Sequence, residues 1–363
     1  MSKAERDKKV EEIMRRKEEH IKICLDEEVN HKQSTLFDDI KLINNPLPEL
    51  DIDDIDTRIE FFGKEFSMPF MVGAMTGGAR LAQEINKRIA KAIDKKKLGM
   101  ALGSQRAALY DKRLEVTYTV SRKYAPKAFI GANIGGAQIA KKVSIEDIKR
   151  LIDMLDADAL YIHLNPAQEL VQPEGDPYYN GVKDSIEKIV DSIDKPVIVK
   201  EVGSGISKEV AVDLEKIGVS AIEIAGAGGT SYTAVEYYRA VKYRDPIKAE
   251  AAKTLWSWGI PTAAALIAVR KAVKIPVIAS GGLRNGLDIA KALILGADMT
   301  AMAGPILKAA YESEAKLMQL LNSLEYQLKA VMMLTGSRSI KDLRKARYVI
   351  VNELKDWVDQ YAR

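Results

Sequence analysis

The stretch PVIASGGLRNGLDIAKALILGADMTAMAG, residues 276–304, holds two short apolar segments, PVIASGG (276–282) and MTAMAG (299–304), with a helical pattern between them. Each segment ends in glycine. Short apolar strands separated by a helix mark a parallel unit covered on both faces. The same alternation runs backward through PFMVGAM (69–75), LGMALGS (98–104), KAFIGANIG (127–135), ALYIHLN (159–165), PVIVKEVG (196–203) and AIEIAG (221–226). Eight such strands predict an α/β fold, a closed (β/α)8 TIM barrel over residues 68–305. Closure removes the exposed edges that an open sheet must protect. A doubly wound open sheet is the competing fold, but the first strand does not lead into a GxGxxG fingerprint.

The flanks read differently. Residues 3–30 suggest one amphipathic helix and residues 31–67 an irregular extension. Asp51, Asp53, Asp54 and Asp56 read as a solvated loop, because the glycine and terminal glutamate of a calcium loop are missing. Beyond the barrel, 306–333 and 338–361 read as long helices whose apolar residues serve core and subunit packing. The 363 residues are expected to form a single domain, with 1–67 and 306–363 as extensions of the barrel.

Composition narrows the function. At 47% hydrophobic and 29% charged, the chain can bury a large core and keep a wet surface. No run approaches the roughly 20 apolar residues of a membrane span. The charged N-terminus lacks an apolar signal segment, so a cytoplasmic protein is expected. Cys24, the single cysteine, fits a reducing compartment and rules out a thiolate metal site. A net charge of +4 biases the chain mildly toward anionic small ligands and argues weakly for nucleic acid.

The loops after strands seven and eight, Ala279–Gly286 and Ala301–Pro305, are where this fold holds a ligand phosphate on backbone N–H groups and a helix N-terminus. Glycine there is expected to let the phosphate approach. Thr76, Ser104, Asn133, Lys200 and Thr230 gather at the same rim. One amide, one lysine and several hydroxyls beside close backbone suit a flavin. Lys200 would sit near the N1–C2=O edge, where reduced flavin is anionic. Its alternative role is an ion pair with a carboxylate inside the barrel mouth.

Seven motifs occur in order: Arg16-Lys17-x-x-His20, MTGG (75–78), GSQR (103–106), HLNPAQE (163–169), KEVGSG (200–205), GAGGTSY (226–232) and SGGLRNG (280–286). Together they span about residues 15–305, and the ordered set resembles the type 2, flavin-dependent isopentenyl-diphosphate isomerases. The resemblance implies FMN, reduced by NADPH, together with Mg²⁺. It implies interconversion of isopentenyl and dimethylallyl diphosphate without net oxidation, in a homo-oligomer expected to be a tetramer. Implied FMN contacts are Ala74, Met75, Thr76, Ser104, Asn133, Lys200 and Thr230, then Gly282, Leu283, Arg284, Ala303 and Gly304. Implied substrate contacts are Arg16, Lys17, His20, Ser104, Gln105, Arg106, Asn165 and Gln168, with Glu169 as the Mg²⁺ ligand. His163, Gln168 and Lys200 would support reduced FMN in catalysis.

The residues bear on that reading independently. Arg16, Lys17 and His20 can share one helical face and grip a diphosphate with Arg106; a solvated helix is the plainer alternative. Cys24 follows on that face and reads as a small buried residue rather than a nucleophile. His163 and Asn165 share strand parity, and His163 could contact flavin or substrate or be a neutral, satisfied histidine. Glu169 suffices as one Mg²⁺ ligand if diphosphate and water supply the rest. The mouth offers few conventional acids and bases, so reduced FMN is expected to move protons at N5, with His163 next in line. A 2-hydroxy-acid oxidase would want a histidine base near strands six to eight, yet the histidines are His20, His31 and His163. A nucleotide-reducing barrel would want a rim cysteine, and Cys24 precedes the first strand. A non-enzymatic binding barrel is the remaining alternative.

Overall fold

The structure, a computed structural model, describes residues 3–141 and 143–362. Met1, Ser2 and Arg363, which fall within the expected extensions, and Lys142 lie outside the described residues. Eight parallel strands close into a barrel. They are β1 (Phe70–Val72), β2 (Gly99–Ala101), β3 (Ile130–Gly135), β4 (Ala159–His163), β5 (Val197–Lys200), β6 (Ala221–Glu223), β7 (Val277–Ala279) and β8 (Met299–Met302). β8 pairs with β1 through Thr300 and Phe70, which completes the ring. Every residue of these strands except His163 is buried, as expected of a sheet with a filled interior and helices outside. Among the described residues, no helix is long and apolar enough to cross a membrane.

The lower end of the barrel is closed by a hairpin. Ile59–Phe61 pairs antiparallel with Lys64–Phe66. Its two-residue turn uses Phe62 and Gly63 at φ 48° and 72°. Phe61 and Phe66 pack against Phe129, which immediately precedes β3. These rings join Met71, Ala101, Tyr161, Ile198, Ile278 and Met299 in one interior cluster. The expectation of an irregular 31–67 therefore needs correcting. Strands of three residues are too short to show a period of two. The acidic stretch forms a short 3-10 turn, Ile52–Asp54, capped by Asp51, and Asp56 pairs with Arg58.

The C-terminal expectation also changes. Ser313 breaks the first stretch into Gly304–Glu312 and Glu314–Leu334, and caps the second helix by accepting from Lys316 N. The region 338–361 holds Ile340–Leu343, a strand Tyr348–Ile350 and Asn352–Gln360. That strand pairs with Ile40–Leu42 and ties the two flanks together.

At the other end, the helix Lys3–Asp26 lies over the barrel mouth. It packs on Arg106–Tyr110, Tyr232–Lys242 and Gly304–Glu312, helices that follow β2, β6 and β8. A lysine- and glutamate-rich sequence without proline keeps it helical, while its apolar face, Val10, Ile13 and Ile21, is buried.

Candidate active site

A cavity of about 460 Å³ opens at the C-terminal ends of the strands, beneath the helix Lys3–Asp26. Its floor is set by strand register. His163, Lys200 and Glu223, the last residues of β4, β5 and β6, are successive partners across the sheet and line the cavity together. Lys200 Nζ lies 3.9 Å from Glu223 Oε1 and donates to the Glu201 carbonyl at 2.5 Å. Glu201 Oε2 in turn accepts from the backbone N–H groups of Val202, Gly203 and Ser204, which locks the loop carrying that carbonyl. Lys200 is paired with a carboxylate, as the alternative reading has it, and it also lines the cavity.

His163 Nδ1 is 2.8 Å from Asn133 Oδ1. Burial, then Lys200, Lys17 and Arg16, depress His163 to about 3, so the ring is neutral. Asn133 Oδ1 accepts, so this contact favours the tautomer with the proton on Nδ1.

The glycine loops divide into two kinds. Gly281 and Gly282 have φ of +97° and +76°. A Cβ on Gly281 would fall 2.2 Å from Gly226 O, and one on Gly282 would fall 2.4 Å from Thr35 Cγ2. Backbone packing between the loops after β6 and β7 is enough by itself to require these glycines, which also line the cavity. Gly304 is different: a Cβ there would meet only Thr230 Oγ1, at 3.4 Å. It opens the helix Gly304–Glu312, which has no side-chain cap, whereas Asn285 caps Gly286–Ile294. An uncapped helix N-terminus at a cavity wall suits an anion.

The helix Lys3–Asp26 brings Ile13, Arg16, Lys17, His20, Ile21 and Cys24 to the cavity. Lys17 donates to Ser104 O at 3.4 Å, and burial, then Arg16 and Arg106, bring it down to about 7. Arg106 Nε is buried without a partner. Arg16 Nη1 lies 3.8 Å from Glu174 Oε1, and His20 Nε2 is 2.8 Å from Glu236 Oε1. Burial pushes the Cys24 thiol up to about 12, which leaves it unreactive as a nucleophile.

Past β4, Asn165 donates to Gln168 at 2.9 Å and Tyr179 donates to Asn165 Oδ1 at 2.8 Å. Glu169 is buried at the cavity wall, with Oε2 accepting from Asp176 N at 2.7 Å and Oε1 from Asn165 at 3.3 Å. Among the described residues no three His, Cys, Asp or Glu side chains cluster to hold a metal; Glu27, Glu169 and Glu223 are the carboxylates that line the cavity.

Gln105 departs from expectation. It is fully buried and does not line the cavity. Its Nε2 donates to Leu151 O at 3.1 Å and its Oε1 accepts from Asn133 N at 2.8 Å, so it braces β3 behind the site. The other expected site residues, Ala74, Met75, Thr76, Leu283, Arg284 and Ala303 among them, line the cavity. Sequence reading missed Glu223, Glu236 and Arg239. Glu223 carried a weak signal as the one acidic residue inside a barrel strand; the other two looked like a solvated helix face.

Residues 11–117 and 164–350 match the family model described as FMN-dependent dehydrogenase. The isopentenyl-diphosphate delta-isomerase of Methanothermobacter thermautotrophicus is 43% identical over 349 residues, covering 96% of each chain. The chain belongs to the isopentenyl-diphosphate delta-isomerase family. A second isopentenyl-diphosphate delta-isomerase, from Archaeoglobus fulgidus, is 43% identical over 95% of this chain and 98% of its own; that of Pyrococcus abyssi is 42% identical over 96% of each. Solved structures share the fold at low identity. A flavocytochrome b2 variant with sulfite bound gives a TM-score of 0.69 at 17% identity, over 93% of this chain and 84% of its own. A lactate oxidase of Pediococcus acidilactici gives 0.65 at 17%, over 94% of each.

Proposed function

We propose that this isomerase-family enzyme interconverts isopentenyl and dimethylallyl diphosphate on reduced FMN, with Mg²⁺ on the diphosphate and no net oxidation. One observation carries the reading. The cavity is lined by two anion-seeking features: an uncapped helix N-terminus at Gly304, and the cations Arg16, Lys17 and Arg106. A flavin phosphate and a substrate diphosphate need one each.

The residues fit FMN. Buried Thr76 Oγ1 has no partner, Glu223 Oε2 has none, and Lys200 stands where an anionic ring edge would lie. Ala74, Met75, Ser104, Asn133 and Thr230 would hold the ring and ribityl chain, and Gly282, Leu283, Arg284, Ala303 and Gly304 the phosphate. Reduced and bound, FMN supplies proton donor and acceptor chemistry at N5. Lys200 would balance the charge of the reduced ring. Neutral His163 lines the cavity beside Asn133. Arg16, Lys17, His20, Arg106 and Ser104 hold the diphosphate, which Glu169 meets through Mg²⁺. Asn165 and Gln168 orient the carboxylate and the substrate. The helix over the mouth excludes water. NADPH as reductant, a homotetramer and a cytoplasmic location complete the proposal.

Oxidation of a 2-hydroxy acid is the second reading, favoured by the shared fold. It asks for a histidine after β6, β7 or β8, and none of His20, His31 and His163 lies there. The test is anaerobic incubation of once-reduced holoenzyme with isopentenyl diphosphate and Mg²⁺ in heavy water. Many turnovers with deuterium in the product and an unchanged reduced-flavin spectrum are expected. Turnover that consumes the reduced flavin stoichiometrically overturns the proposal. Full activity with 5-deaza-FMN would move the proton transfer to His163.

A further inference from the structure

Arg239 is 2% exposed and does not line the cavity, yet it binds three carboxylates from three parts of the chain. Nε meets Glu19 of the mouth-covering helix at 3.0 Å. Nη1 meets Glu236 on its own helix at 2.7 Å. Nη2 meets Glu174, in the loop beyond β4, at 2.7 Å. Two of these acids have other strong partners. Glu19 also accepts from Lys242 and Tyr243, at 2.7 and 2.8 Å. Glu236 also accepts from Gln168 and pairs with His20. Glu174 has one further cation within reach, Arg16, at 3.8 Å from the same Oε1 that Arg239 holds.

Two arginines therefore compete for one carboxylate oxygen, and the one outside the cavity holds it more tightly. We propose that Arg239 is a positioning residue for anion recognition: by holding Glu174, it keeps that carboxylate from closing on Arg16 and leaves Arg16 available to the diphosphate. Without Arg239, Glu174, a half-buried acid, would lose its close cation, and Arg16 would be the next one within reach. A tight Arg16–Glu174 pair would then have to be broken by every incoming anion. The effect acts through Arg16, so it appears in anion affinity rather than in the chemical step. The inference rests on the reading of Arg16 as a diphosphate ligand.

The test is calorimetric binding of inorganic pyrophosphate to FMN-loaded protein. Arg239→Gln is expected to weaken binding tenfold or more. Adding Glu174→Gln is expected to restore affinity to within about threefold of the original protein, because no acid remains to capture Arg16. KM for the allylic substrate should rise and fall in parallel, with kcat changing little. A loss that Glu174→Gln does not relieve means Arg239 is merely structural, and overturns the proposal. If the unaltered protein binds no pyrophosphate, the diphosphate reading of the cavity fails, and this inference with it. Should Arg239→Gln not melt as a single transition, Glu174→Gln alone decides. It should tighten pyrophosphate binding by about threefold or more, and unchanged or weaker binding overturns the proposal.

Discussion

Lys200 and Glu223 are register partners at the ends of adjacent strands, with Nζ 3.9 Å from Oε1 and both side chains buried. Ser280 Oγ donates to the same Glu223 oxygen at 2.8 Å, and the other oxygen has no partner. Removing the lysine strands a buried carboxylate. Lys200→Ala should cost on the order of 3 kcal/mol of stability and weaken FMN binding. Adding Glu223→Gln should recover most of the stability but not the flavin affinity. Denaturant melts and flavin titration of both variants check this; an undiminished flavin affinity in Lys200→Ala removes the lysine from the flavin site.

The glycines make a paired prediction. Gly281→Ala should fail to reach a native melt, since its Cβ would lie 2.2 Å from Gly226 O at a φ of +97°. Gly304→Ala should fold and melt like the parent, because its Cβ has room, but should bind FMN at least tenfold more weakly if a phosphate sits there. Parental flavin affinity in Gly304→Ala would move the phosphate elsewhere.

Lys17 lies near its titration point, at about 7, because burial and two arginines disfavour its charge. A bound diphosphate restores that charge. At pH 8, pyrophosphate binding should therefore take up as much as about one proton, measured by calorimetry in buffers of different ionisation heat. Lys17→Met should abolish the uptake. Equal uptake in the two proteins would assign the proton to another group.

His163 is depressed from about 6.5 to about 3 in the folded state. Between those values the unfolded chain binds a proton that the folded chain refuses. Stability therefore falls as pH drops through that window. His31, depressed to about 4 by burial, adds to the same limb. His163→Gln should flatten the decline between pH 6.5 and 4 and reduce proton uptake on unfolding at pH 5 by about one. A pH–stability profile superimposable on the parent's would show that His163 is not buried neutral.

Glu169→Gln should shift the Mg²⁺ requirement of turnover to higher concentration, with flavin still bound, because a carboxylate is replaced by a weaker oxygen donor. An unchanged Mg²⁺ titration would remove Glu169 as a ligand.

The barrel was legible because each of its strands is an apolar run with helical spacing between, and the rim residues sit at strand ends by construction. The hairpin Ile59–Phe66 and the strand Tyr348–Ile350 were not, since three-residue strands carry no readable period. Gln105 sits inside a motif among cavity residues, and only the fold shows it turned to Leu151 and Asn133. Arg239 and Glu236 were invisible for another reason. On a helix they resemble a wet charged face, and the partner that buries Arg239, Glu19, lies 220 residues away in the chain. Cys24 follows the plainer reading, with its thiol suppressed by burial.

The aromatic hairpin that seals the lower end of the barrel has a kinetic meaning. With Phe61, Phe66 and Phe129 stoppering one end of the barrel, the cavity lies at the other, between the strand ends and the mouth-covering helix. A reductant and a substrate that both need the strand ends would take turns in that one space. A molecule lodged there would then shield the interior from both, so substrate at high concentration should slow reduction of the enzyme while leaving isomerisation by already reduced molecules untouched.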